Sequence, residues 1–204
     1  MKALDWVRFL ESQLERHGKT LFRVAELANV AGRDAHTLNV ELARLVKRNV
    51  LVRYVTGVYG LPGQATPEHL VSMLDDGAYI TGAYALYRQN LIAQTPTKIV
   101  CFTNRRHNRS RERQTPFGRL VFVRIAPAIH HRRSDVALAE PLQALCDYVH
   151  LALRAGLDPA TLVTFRGLPG LPRRGLPAML KRYPPKVGER VRQMLSSRRQ
   201  GGTP

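Results

Sequence analysis

Arginine suits phosphate because its planar guanidinium makes paired, charge-assisted hydrogen bonds and stays protonated. The stretch "TNRRHNRSRERQTPFGR" places Arg105, Arg106, Arg109, Arg111 and Arg113 beside a single acid, Glu112. A second set of candidates lies upstream in "RDAHTLNVELARLVKRN". There Arg44 has the chemistry to pair with guanine O6 and N7, Asn39 with adenine, and Thr37 or Val40 with a thymine methyl group. Arg33 and Lys47 suit phosphate, His36 shares the outer face with Asn39 and Arg48 flanking it, and Arg53 and Tyr54 follow in a short hairpin. Together these residues form a candidate DNA-contact set.

The charge distribution points the same way. The 204 residues include 32 Lys+Arg against 15 Asp+Glu, a formal net charge of +17. A protein this basic most often meets a polyanion, since neutralising phosphates releases counterions. The competing explanation is an arginine-rich composition whose charged runs are simply solvated. The charge is uneven: +4 over residues 1–63, −1 over 64–103, +8 over 104–133, −3 over 134–164 and +9 over 165–204. Two basic blocks separated by near-neutral apolar stretches favour folded elements with basic faces over a basic tail.

Other chemistries find less support. A nuclease needs clustered carboxylates, whereas Asp75 and Asp76 read as solvated turn residues. Glu140 and Asp147 fall on one helical face with no lysine in a matching pattern. His107, His130 and His131 accompany no nucleophile signature, and the prolines of "GLPGLPRRG" block a phosphate cradle. Cys101 and Cys146 sit in apolar contexts and read as free buried thiols. The reading therefore expects no enzyme, no metal and no cofactor. The acid-containing amphipathic N-terminus is unlike a secretory leader, and no apolar run reaches about 18 residues. The expected location is cytoplasmic, with no membrane contact.

The elements that would position the candidates are legible from periodicity. Leu4, Val7, Leu10 and Leu14 predict a first helix, and "FRVAELANVAG" a second with Val24, Leu27 and Ala28 inward. Asp34 is an N-cap for a third, whose Leu38, Leu42 and Leu45 face inward. "VLVRYVTGVYGLPG" then reads as a hairpin turning at Thr56-Gly57. Three helices and a hairpin are the order of a winged helix-turn-helix, whose third helix enters the major groove. Beyond residue 63, Thr66-Pro67 starts a short helix, and "AYITGAYALYRQNLI" predicts another capped by Thr81. "TKIVCFTN" and "GRLVFVRIA" predict strands joined by the arginine stretch as a hairpin loop or arm. "EPLQALCDYVHLALRAG" is an apolar helix, Asp158 caps a further one, and Val187, Val191 and Leu195 mark a last helix. The expected fold is α+β: a winged helix-turn-helix over residues 1–63, then a mixed α/β domain with a small sheet over 64–204.

"AYITGAYALYRQNLIAQTPTKIVCFTNRR" and the later "LAEPLQALCDYVHL" resemble the AbiEi-type antitoxins of type IV toxin–antitoxin systems and related transcriptional regulators. The matching positions are Thr81, Gly82, Ala85 and Leu86, then Pro96, Lys98 and Val100, then Ala144, Leu145 and Asp147, and the resemblance extends to about residue 160. It implies autoregulation on inverted-repeat double-stranded DNA upstream of the operon, in the setting of phage defence. The implied functional partner is a nucleotidyltransferase-like toxin, opposed without a stable complex. The arginine stretch and the basic C-terminal segment would then extend the DNA-contact surface. Two alternatives stay open: an RNA-binding module that uses the arginine stretch, and a protein-interaction domain for a toxin.

Overall fold

The computed structural model describes residues 2–107, 111–132 and 135–196. The fold is α+β, with helices at the N-terminal end and a small mixed sheet in the C-terminal region. Three helices come first: α1 (Ala3–His17), α2 (Val24–Ala31) and α3 (Ala35–Lys47). A strand of two residues, β1 (Phe22–Arg23), separates α1 from α2, and β2 (Val52–Val55) and β3 (Val58–Gly60) form the expected hairpin. These strands make one antiparallel sheet in the order β1-β3-β2. Gly57 supplies the turn with φ of 77°, a left-handed conformation that costs glycine little.

Two local features differ from the sequence expectation. Phe22 and Arg23, expected in the second helix, pair instead with Tyr59 and Val58. Gly60 permits that approach, because a side chain there would run into the carbonyl oxygen of Thr20. In the stripe of α1, Leu10 is buried and Val7 packs against the same cluster, but Leu4 is 57% exposed and Trp6 is buried in addition. The indole offers the largest apolar surface on the helix, so its burial decides which face turns inward.

The chain continues through α4 (Pro67–Leu74), β4 (Tyr79–Thr81), α5 (Gly82–Arg88), β5 (Lys98–Thr103), β6 (Glu112–Thr115) and β7 (Gly118–Arg124). Next come α6 (Pro141–Arg154), the short α7 (Pro159–Leu162), a 3-10 turn at Leu168–Gly170, α8 (Leu176–Leu180) and α9 (Pro185–Ser196). The four strands form one sheet in the order β4-β5-β7-β6, with β5 parallel to β7 and the other neighbours antiparallel. Parallel neighbours cannot be joined by a tight turn. The arginine stretch is therefore no hairpin loop between β5 and β7: its second half, from Glu112, is the edge strand β6, which turns back onto β7.

The helix expected to begin at Thr81 is also preceded by a strand. Tyr79, Ile80 and Thr81 pair with β5, and Gly82, at φ of 64°, breaks the chain from strand into α5. The Thr81 side chain makes no cap bond. Thr66 does cap α4, accepting from the His69 amide at 3.2 Å.

Strand alternation divides the apolar residues of the sheet between two layers. Ile99, Cys101, Leu120 and Phe122 pack with Leu70 and Val71 of α4 and with Tyr54, Val55 and Val58 of the hairpin. This cluster runs continuously across residue 63. Phe102 and Tyr79, with Val100 and Val123 at the margin, pack against α5, α6, α8 and α9. A third cluster, built on Trp6, Leu10, Leu27, Leu38, Leu42 and Leu45, holds the first three helices together.

Candidate nucleic-acid interface

α3 starts where Asp34 accepts hydrogen bonds from the amides of His36 and Thr37, at 2.9 and 3.0 Å. These bonds hold the Asp34 carboxyl below the usual carboxylate range. They satisfy two of the amides that a helix start leaves unpaired. Leu38, Leu42 and Leu45 are buried, so the helical period turns Thr37, Val40, Arg44 and Lys47 outward, with His36 and Asn39 beside them. All six are exposed, as is Arg48 just past the last turn.

The surface is less free than the sequence suggests. The Thr37 hydroxyl donates to Asp34 at 2.7 Å, so it is already engaged in the cap. Arg33 pairs with Glu41 at 2.8 Å, and the other Glu41 oxygen accepts from the Trp6 indole. Burial opposes ionisation of Glu41, but the Trp6 hydrogen bond and nearby positive charge outweigh it and keep the carboxyl below its ordinary value. Arg53 is exposed on β2 and donates to Thr56 at 3.0 Å. Tyr54, expected beside it on the hairpin surface, is a correction: it is 3% exposed. Its hydroxyl donates to the Leu61 carbonyl at 3.0 Å. Its ring lies 5.4 Å from that of Phe117 in the β6–β7 turn. Tyr54 cements the two halves of the chain together and presents no atom for a ligand to read.

The second basic set is anchored by a carboxylate that the sequence reading left in solvent. Asp75 is 2% exposed and accepts from the Thr103 hydroxyl at 2.6 Å, the His107 ring at 2.9 Å and the Gly77 amide at 3.0 Å. Burial pushes its pKa up, but the hydrogen bonds from Thr103, His107 and Gly77 prevail and the carboxyl stays below its usual value. The His107 ring also stacks on Phe122, with centroids 4.3 Å apart. Arg105 pairs with the exposed Asp76 at 2.8 Å. The start of the arginine stretch is thus pinned to the end of α4. "LDDGAY" holds a local signal for this, an Asp-x-Gly turn, but nothing in it names the distant Thr103 and His107.

Arg106 and Arg111 are exposed, while Arg113 is half-buried on β6, where burial lowers its pKa. Arg113 is therefore part of the sheet and not of a solvent-facing arm. Arg109 lies outside the described residues. Arg106 and Arg111 belong to the margin of a cleft of about 730 Å³ between the β7–β6 side of the sheet and the C-terminal half of α6. Lys98, Arg119, Arg124 and Arg154 join them there, over a floor that includes Val100, Val121 and Val123.

Glu140 and Asp147, expected on one helical face, do not share a surface. Glu140 is the exposed N-cap residue of α6, and Asp147 is fully buried. Asp147 accepts from the Thr81 hydroxyl at 2.7 Å and the Tyr183 hydroxyl at 2.5 Å. Burial pushes its carboxyl up to about 7, partly offset by those bonds. Both cysteines are buried, and burial raises their thiol pKa values, that of Cys146 to about 12. Among the described residues no three His, Cys, Asp or Glu side chains gather as a metal site, and no helix is long and apolar enough to cross a membrane. No protein-family model matches the chain, and no curated protein matches its sequence.

Proposed function

We propose that the chain is a DNA-binding transcriptional regulator whose first part is a winged helix-turn-helix. In this reading α2 and α3 form the helix-turn-helix, β2 and β3 the wing, and β1 the third strand of its sheet. The observation that carries it is the outer face of α3. A helix held by a buried leucine stripe presents Asn39, Val40, Arg44 and Lys47 to solvent on the side away from its own core. These side chains suit base edges at the N-terminal end and phosphate at the C-terminal end. Arg48 and Arg53 are exposed nearby in sequence and add phosphate contacts.

The resemblance to AbiEi-type antitoxins extends the proposal to autoregulation on an inverted repeat upstream of the operon. A nucleotidyltransferase-like toxin would be the functional partner. No catalytic step forms part of this reading.

Fluorescence anisotropy on the native upstream duplex and a scrambled duplex, at two salt concentrations, tests the DNA reading. The wild-type protein should prefer the upstream duplex, and Arg44→Ala should erase the preference while leaving salt-sensitive background binding. Equal binding to both duplexes, indifferent to Arg44→Ala, would sink the proposal.

A further inference from the structure

The cleft on the C-terminal sheet has no part in the proposed reading of α3, and its lining is chemically specific. Lys98 neighbours Arg119 across the parallel pair, and Val100 neighbours Val121, so these four side chains share one sheet face. That face is the one opposite Ile99, Cys101, Leu120 and Phe122, which pack toward the N-terminal hairpin. α6 covers the β4–β5 side of the cleft face, and the β7–β6 side stays open.

Three features define what would fit. First, Lys98, Arg106, Arg111, Arg124 and Arg154 make no ion pair with a described carboxylate. The one acid among the described lining residues, Glu112, faces Arg119 at 3.4 Å. Like charges gathered over a low-dielectric floor raise the local potential and favour an anion carrying several charges. Second, the floor is aliphatic. The aromatic rings beside it, Phe122 and Tyr148, are 2% and 7% exposed. The His107 ring is 13% exposed and already stacked on Phe122, so among the described lining residues no ring lies open as the stacking platform that single-stranded nucleic acid uses. Third, Leu157 and Leu162 stand in the lining at 48% and 45% exposure. Exposed leucines beside unmatched cations call for a ligand that is both apolar and acidic.

We propose that this cleft docks an acidic amphipathic segment of a partner protein. The segment lays its aliphatic side chains on Val100, Val123, Leu157 and Leu162, and its carboxylates reach Lys98, Arg111 and Arg154. This is helix-in-groove recognition with charge complementarity at the margin. The proposal does not depend on the DNA reading of α3.

The test uses the full chain and a fluorescein-labelled helical peptide of about 18 residues, five turns, with leucines on one face and glutamates on the other. Two comparison probes are a peptide of equal charge with serine in place of leucine, and a labelled oligothymidylate. Anisotropy should show the leucine-bearing peptide binding at least about tenfold more tightly than the serine peptide. The double variant Leu157→Ser/Leu162→Ser should lose most of that difference. Lys98→Glu/Arg154→Glu should abolish peptide binding. All four positions are exposed or at a helix end, and matching thermal melts would confirm intact folding. Equal affinity for the two peptides would reduce the site to nonspecific charge attraction and overturn the proposal. Competition by oligothymidylate, with the same sensitivity to both double variants, would overturn it in favour of a single-strand groove.

Discussion

The outer face of α3 and the cleft beside α6 are both basic, yet they present charge in opposite ways. α3 is convex, and much of its chemistry is already committed within the protein. Thr37 serves the Asp34 cap and Arg33 serves Glu41. What remains is a short row of side chains on a rigid helix, suited to insertion into a groove. The cleft is concave, and most of its cations have no described acidic partner, so the demand for an outside anion is greater there. Net charge alone would treat the two regions alike. Burial and ion pairing separate the surface proposed to read a duplex from the one proposed to enclose a segment.

Removing the support of one region only should separate the two. Trp6 belongs to the cluster behind α3 and lies outside the clusters that line the C-terminal sheet. Trp6→Ala should cost about 3–5 kcal/mol, the usual penalty for emptying so large a buried site. Chemical denaturation would measure it. The variant should lose preference for the upstream duplex yet retain peptide binding in the cleft at a temperature where it remains folded. Loss of both activities in step would mean that the two regions are not independent.

The next effect concerns pH, where two buried aspartates act with opposite sign. The Asp147 carboxyl is raised to about 7 by burial. Its contribution is fully present below the unfolded value near 4 and is lost as pH rises toward 7. The difference is on the order of 4 kcal/mol. Asp147→Asn should flatten that part of the stability profile in denaturant melts between pH 4 and pH 7. Asp75 is held below its ordinary value, so its contribution is present above the unfolded value and lost as pH falls through the folded one. Asp75→Asn should therefore blunt acid sensitivity and loosen the anchor beneath Arg105 and His107. A profile unchanged by either substitution would remove the electrostatic account of these sites.

Smaller effects sharpen the α3 side. Arg44→Ala should cost about 1–3 kcal/mol in discrimination between duplexes, the range for a base-reading arginine, with little change in the melting midpoint. Asp34→Ala should lower the melting midpoint slightly, because it removes the N-cap of α3. It should weaken duplex binding through fraying at His36 and Thr37, and leave the cleft peptide unaffected. Amide exchange at those two positions would report the fraying directly.

Some of the architecture follows from near-neighbour chemistry and can be read along the chain. Asp34 and Thr66 cap the helices that follow them, and Leu38, Leu42 and Leu45 repeat at the helical period. Thr56-Gly57 turns a hairpin, and the β-branched run of β5 forms a strand. Each signal acts over a few residues, through the 3.6-residue period, a cap bond or a φ preference. What tertiary packing alone decided involves partners far apart in sequence. Two residues cannot announce β1, which exists because Tyr59 and Val58 meet it across a sheet that Gly60 leaves room for. Tyr54 reads as a surface aromatic until Phe117, from a different part of the chain, covers it. Asp75 reads as a solvated turn until Thr103 and His107 arrive from the end of β5. The cleft depends on the β4-β5-β7-β6 order, which sets Lys98 beside Arg119. Local preferences determined the types of the elements; contacts between distant residues, each favourable only once the chain is compact, decided their pairing, their buried faces and the place where charge was left unmatched.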